Sequence, residues 1–196
     1  VQSKVDASYR FSQQQIIILG RIIPFKGHKY LIAALEQVKK RFPNFKLLII
    51  GHGDEDLIEQ LKMDVARLEL NENVDFLGYR KNVYDYLVNS DIMVVPSISE
   101  GFGLIFLEAL NAKIPIVGFD VAATNEIIEN DINGKLVPVK NAKALGQSIL
   151  DLLDNQNERT ALSQNGYEKL KSYFSLDRMV EQTIAFYQLA LHEPSN

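Results

Sequence analysis

Pro96-Ser97-Ile98-Ser99-Glu100-Gly101-Phe102-Gly103-Leu104-Ile105-Phe106-Leu107-Glu108-Ala109-Leu110 is the stretch that decides how this chain reads. Ahead of it, Asp91-Ile92-Met93-Val94-Val95 is a short apolar run of the kind buried in a parallel sheet. Behind its glycines comes a helix-length run, apolar at nearly every position except Glu108. A strand, a two-glycine turn and a buried helix together present backbone N–H groups to an anion at a helix N-terminus. Glycine in the turn lets a phosphate or a sugar reach the main chain without meeting a Cβ. Two carboxylates sharpen the picture. Glu100 stands on the turn, where a ligand would lie. Glu108 stands inside the helix, where a lone carboxylate is costly unless it is paired or hydrogen-bonded. The two hydroxyls of a ribose would suit it, because one carboxylate accepts from both. Pairing with an internal Arg or Lys is the competing expectation.

Outward from this stretch, apolar strands alternate with helix-length segments. Strands are expected at Ile16–Leu19, Lys46–Ile50, Asn73–Gly78, Ile114–Val117 and Lys135–Val137. Helices are expected near residues 29–41, 55–68, 83–88, 125–129, 142–153, 158–173 and 176–191. The strands are apolar throughout rather than alternating, which is the pattern of a parallel sheet covered by helices on both faces. The fold class is therefore α/β, a doubly wound parallel sheet. Ligands of such sheets bind at the carboxyl ends of the strands. Glycine turns follow three of those ends, at Gly20, at Gly51-His52-Gly53 and at Gly101-Phe102-Gly103, and all three are expected on one edge of the sheet. Residues 1–15 are polar and read as a linker or lead-in.

Composition narrows the classes. The 196 residues, 46% of them hydrophobic, suffice for one well-packed domain. A net charge of −4 argues against a general nucleic-acid binder. There is no cysteine, hence no disulfide, thiolate chemistry or zinc–thiolate site. No apolar run approaches the ~20 residues that span a bilayer. The chain opens on Val1 and enters structure almost at once, so it is expected to be a piece of a longer protein cut at a domain boundary.

Two further cation-bearing positions follow the first strand, Arg21 and Lys26 in Gly20-Arg21 and Phe25-Lys26-Gly27-His28. An Arg fork and a Lys point charge could grip a diphosphate; two solvated loop cations are the competing reading. Asp54-Glu55-Asp56 opens a helix, where acids cap free N–H groups and oppose the dipole, and that reading is preferred to a metal motif.

Glu100 and Glu108 are eight positions apart (108 − 100) within Ser-Glu-Gly-Phe-Gly-Leu-Ile-Phe-Leu-Glu-Ala. This resembles the E-x7-E signature of retaining glycosyltransferases of the GT-B fold, the glycosyl transferases of group 1. The Arg followed by Lys-Gly, the Phe76-Leu77-Gly78-Tyr79-Arg80 segment and Glu126-Ile127-Ile128 before Asn133-Gly134 fit the same family in the same order, from about residue 16 to 191. The resemblance implies the C-terminal, donor-binding half of such an enzyme, a Rossmann-like domain over residues 16–175, with residues 176–191 as a helix crossing back to an N-terminal acceptor half absent from this chain.

By that resemblance Arg21 and Lys26 hold the donor diphosphate and stabilise charge on the leaving nucleotide, without a metal or other cofactor. Glu100 meets the donor sugar, and Gly101, Phe102, Gly103 and Leu104 offer backbone N–H groups to sugar hydroxyls and phosphate. Glu108 meets the ribose, and the backbone at Tyr79 and Arg80 lines the base pocket. The implied partners are a UDP-, GDP- or ADP-sugar and the missing half of the same protein, with any membrane contact made through that half at the cytoplasmic face, and no nucleic acid. Bacterial polysaccharide assembly lies within the family's range. Two departures stand out, Lys113 where the family has glycine and Ala122-Ala123 where it has a glycine pair; both are expected to reshape the sugar pocket. Two other classes share parts of the pattern. A non-catalytic nucleotide-sugar binding module would keep every binding residue. A nicotinamide-dependent dehydrogenase would need a G-x-G-x-x-G turn after the first strand, where Gly20-Arg21-Ile22-Ile23 stands instead.

Overall fold

The computed structural model describes residues 7–101 and 103–192. Six strands form one sheet: β1 (Gln15–Leu19), β2 (Lys46–Ile50), β3 (Val74–Gly78), β4 (Ile92–Val95), β5 (Ile116–Phe119) and β6 (Lys135–Val137). Among the described residues eight α-helices connect and cover them: α1 (His28–Arg41), α2 (Glu55–Arg67), α3 (Val83–Val88), α4 (Leu104–Asn111), α5 (Ala122–Ile127), α6 (Ala142–Asp154), α7 (Gln156–Tyr173) and α8 (Leu176–His192). The sheet order is β3-β2-β1-β4-β5-β6, and every pairing is parallel. The α/β doubly wound reading therefore holds. So does the placement of the three glycine turns on one edge, because parallel strands all end there.

The unbroken apolar strands have a direct cause. Ile16, Ile18, Leu47 and Ile49 face one side, against Leu31, Leu35 and Val38 of α1, Leu61 of α2 and Ile149 of α6. Their neighbours Ile17, Leu19, Leu48 and Ile50 face the other side, against Leu87 of α3 and Phe106, Ala109 and Leu110 of α4. Successive side chains point to opposite faces, and both faces are covered, so no strand position can be polar without cost.

The segment read as a linker is docked from Tyr9 onward. Tyr9 stacks edge-on against Tyr86 at 4.8 Å between ring centroids. Arg10 donates to the Asn89 carbonyl and pairs with Asp91, each at 2.8 Å. Gln15 is already in β1 and fully buried. Its amide donates to the Tyr9 carbonyl at 2.9 Å, and its Oε1 accepts from the Phe11 N–H at 2.8 Å. Polar residues here satisfy the amino ends of β1 and β4, so polarity did not mean looseness. The 125–129 helix also begins earlier than expected, at Ala122.

Candidate functional site

The sheet order reverses between β1 and β4: from β1 the chain moves outward to β2 and β3, and from β4 outward to β5 and β6. The crevice at the carboxyl ends of these two strands is where open α/β sheets bind ligands. Two loops line it here, residues 20–27 after β1 and, after β4, residues 96–101 with Gly103. They are joined. The Ile98 N–H donates to the Phe25 carbonyl at 2.8 Å. Gly27, with φ +71°, lies against Pro96 so closely that a Cβ would stand 1.9 Å from the Pro96 carbonyl oxygen.

This joint brings Lys26 to Glu100. The Lys26 Nζ donates to Glu100 Oε2 at 2.6 Å, with side chains 19% and 9% exposed. The two residues are 74 positions apart, and no local signal foretells the pair. Gly103 completes the seat of Glu100, since a Cβ on Gly103 would stand 3.1 Å from the Glu100 Cγ. Glycine is the N-cap of both α1 and α4, at Gly27 and Gly103, and neither helix start has a side-chain cap. Two helix N-termini, each with first-turn N–H groups and a positive dipole end, thus flank the ion pair.

Arg21 is exposed at the end of β1 and, among the described residues, has no side-chain partner. Gly101 is exposed, and Leu104 is 68% exposed at the start of α4. Phe102 lies outside the described residues. Tyr79, 68% exposed, and Arg80, which donates to the Tyr79 carbonyl at 3.1 Å, follow β3 on the same edge, two strands from β1.

Glu108 departs from expectation. It is exposed, and among the described residues its carboxylate meets no Arg or Lys. The reason is helical geometry. Phe106, Ala109 and Leu110 of α4 face the core, and residue 108, about 200° around from 106, falls on the outer face. It therefore carries neither the burial penalty nor the internal partner that its apolar neighbours suggested.

Lys113 has φ 53°, the left-handed conformation that favours glycine, just beyond the C-terminal end of α4. Its ammonium lies 4.3 Å from the Tyr167 ring centroid. The length of α4, about 12 Å at 1.5 Å per residue, separates it from Gly103, so this departure bears on helix termination rather than on the crevice. Ala122 and Ala123 start α5 after β5 and do stand on the carboxyl edge.

Other candidates resolve as structure. The Asp54 side chain accepts from the Leu57 N–H at 3.0 Å and caps α2. Gly51 and Gly53 allow the turn after β2 to lie against the loop after β1, where Cβ atoms would meet the Gly20 and Ile22 carbonyl oxygens at 1.9 and 2.3 Å. Asn133 is buried and ties the turn before β6, donating to the Ile127 carbonyl and accepting from the Glu129 N–H.

His28, on the first turn of α1, is buried, and neither ring nitrogen has a partner among the described residues. Burial, aided by the Lys26 charge, pushes its pKa down from 6.5 to about 4, so it is neutral at pH 7. Sequence reading had nothing to mark it as a core residue.

The family described as Glycosyl transferases group 1 matches residues 5–169. The chain belongs to this family. A glycosyltransferase of Methanocaldococcus jannaschii is 31% identical over 185 residues, covering 91% of this chain and 46% of that protein. The chain thus spans about half the length of the curated relatives it matches. Among solved structures, the C-terminal domain of a glycosyl transferase group 1 family protein (LpcC) from Francisella tularensis superposes with a TM-score of 0.80 at 27% identity, covering 86% of this chain and 90% of that one. A point mutant of S. aureus TarM, solved with fondaparinux, alpha-GlcNAc-glycerol and UDP, superposes with a TM-score of 0.82 at 26% identity, covering 93% of this chain and 37% of that one. The glycosyltransferase domain has the fold of the C-terminal domain of GT-B enzymes, and the Francisella structure is such a domain standing by itself. Its last helix, α8, exposes Leu176, Met179, Ile184, Phe186, Tyr187 and Leu191. A groove of about 580 Å³ runs between α8 and the start of α4, lined in part by Leu104, Leu107, Met179 and Phe186. No helix among the described residues is long and apolar enough to cross a membrane.

Proposed function

We propose that this domain holds the donor of a retaining hexosyltransferase, binding a nucleotide-diphosphate sugar in the crevice between the β1 and β4 loops. The observation that carries this reading is the meeting of Lys26 and Glu100 at 2.6 Å at the point where the strand order reverses. A diphosphate there gains Lys26, the free Arg21 and the uncapped starts of α1 and α4. Glu100 accepts from the donor sugar and stabilises the cationic character that the ring develops as the bond to the leaving diphosphate breaks. Arg21 and Lys26 take up the charge that the diphosphate gains in the same step, which is the service a metal ion renders elsewhere. No metal is required in this reading. Glu108, exposed on α4, accepts the ribose hydroxyls, and the backbone at Tyr79 and Arg80 borders the base.

The UDP in the TarM complex supports a nucleotide diphosphate as ligand. The acceptor, a glycan or a lipid-linked molecule, belongs to the other half of the protein, together with any contact with a membrane surface. Transfer needs donor and acceptor held together, so the domain by itself binds donor and turns over little.

Calorimetric titration with UDP, GDP and ADP, with and without Mg²⁺, tests this in wild type and Glu108→Ala. One nucleotide binding equally with and without Mg²⁺, and at least about tenfold more weakly to Glu108→Ala, is the expected result. Binding that requires Mg²⁺, or that ignores Glu108→Ala, would refute the metal-free ribose assignment.

A further inference from the structure

We infer that Glu100 makes this site select a nucleotide diphosphate that still carries its sugar over the bare nucleotide, acting through the Lys26 ammonium that it holds. The inference rests on the crevice being a nucleotide-sugar site.

The ion pair is short and largely withdrawn from water, at 2.6 Å with side chains 19% and 9% exposed. Each charge there is compensated by the other, and removing either partner leaves the second poorly solvated. The loops that carry them cannot separate freely. Ile98 is hydrogen-bonded to Phe25, and Gly27 lies backbone to backbone on Pro96. Glu100 is further seated against Gly103. The carboxylate therefore stays beside whatever Lys26 binds.

A diphosphate placed at Lys26 draws the ammonium toward its oxygens. Glu100 then loses its counter-ion and faces new negative charge at short range. A sugar on the diphosphate supplies hydroxyl donors that replace the ammonium at the carboxylate oxygens. A bare nucleotide supplies none, and its terminal phosphate carries more negative charge than the ester it came from. The same carboxylate thus favours the sugar-bearing donor and disfavours the nucleotide left after transfer. The selectivity comes from a repulsive element against the wrong ligand as much as from attraction to the right one.

The test is titration of the 196-residue chain and its Glu100→Gln variant with UDP, GDP and ADP, then with UDP-glucose, GDP-mannose and ADP-glucose. For the nucleotide that binds, Glu100→Gln is expected to bind the bare form about tenfold more tightly than wild type, ~1.4 kcal/mol, with no gain for the sugar-bearing form. Glu100→Ala should shift in the same direction. In a Lys26→Met background the gain should become smaller without vanishing, because competition for the ammonium is gone and only the direct repulsion between carboxylate and phosphate remains. A bare nucleotide bound no more tightly by Glu100→Gln and Glu100→Ala overturns the inference and leaves the site reading standing. Failure of wild type to bind any of the six ligands overturns the site reading and the inference with it.

Discussion

Gly27 and Pro96 touch backbone to backbone, with the Pro96 carbonyl oxygen 1.9 Å from where a Gly27 Cβ would be. Through this contact and the Ile98–Phe25 hydrogen bond the β1 loop and the β4 loop are held together, and Lys26 reaches Glu100. Gly27→Ala would meet both the left-handed φ and a backbone oxygen that has no room to retreat. Its expected cost is at least ~2 kcal/mol in urea unfolding, together with weaker nucleotide binding. A variant as stable as wild type would show that the two loops separate easily.

Glu108→Ala should leave stability within about 0.5 kcal/mol of wild type, because the side chain is exposed and makes no contact that folding depends on. Thermal melts of the variant check this. A large loss would mean that Glu108 has a structural partner, and its effect on nucleotide binding would then carry no assignment.

His28 gives a pH dependence of definite sign. Its pKa in the folded chain is pushed down to about 4 by burial and by Lys26, against 6.5 when exposed. Between those values the unfolded chain binds a proton that the folded chain does not, so stability falls as pH drops from about 6.5 toward 4. The loss attributable to this residue is ~3 kcal/mol. Urea titrations of wild type and His28→Asn at pH 7.5, 6 and 4.5 isolate it from the carboxylates. The gap between the two proteins should narrow as the pH falls, and parallel curves would refute the assignment.

Gln15 satisfies three backbone groups of the lead-in and the β4 approach, donating to the Tyr9 and Asn89 carbonyls and accepting from the Phe11 N–H. Gln15→Ala removes the partners of the part-buried Tyr9 carbonyl and Phe11 N–H, while the Asn89 carbonyl keeps Arg10, and should cost about 1–2 kcal/mol. Limited proteolysis should then cut within residues 7–14 sooner than in wild type. Unchanged protection would mean that the lead-in is held by Tyr9 and Arg10 alone.

Lys113 occupies a left-handed position at φ 53°. Lys113→Val should lose ~1–2 kcal/mol, since a branched Cβ fits that region worst. Lys113→Gly should change stability by less than about 0.5 kcal/mol, the eased backbone offsetting the lost contact with Tyr167. Chemical denaturation of the two variants separates backbone strain from the cation–π contact.

Much of this domain was legible along the chain. Four-residue runs such as Ile16-Ile17-Ile18-Leu19 and Ile92-Met93-Val94-Val95 are apolar on both faces, and only a strand covered on both sides tolerates that. Their alternation with helix-length segments sets the parallel class and places every strand end on one edge. The acids at Asp54-Glu55-Asp56 declared a helix start by local chemistry, and the Asp54 cap is made within three residues. These features rest on periodicity and short-range bonding, which a sequence displays directly.

What the sequence alone did not contain is whatever depends on residues meeting across the fold. Lys26 and Glu100 each signalled an anion or sugar contact, yet their pairing arises from the adjacency of β1 and β4, and strand adjacency is a property of the whole sheet. Glu108 looked buried because its neighbours are apolar, and the side of α4 that meets the sheet decides otherwise. Gln15 stood in a stretch read as a lead-in and His28 in a loop after the first strand, and tertiary packing buried both. Local propensity acts over a few residues, whereas burial and ion pairing are settled by contacts between segments tens of residues apart.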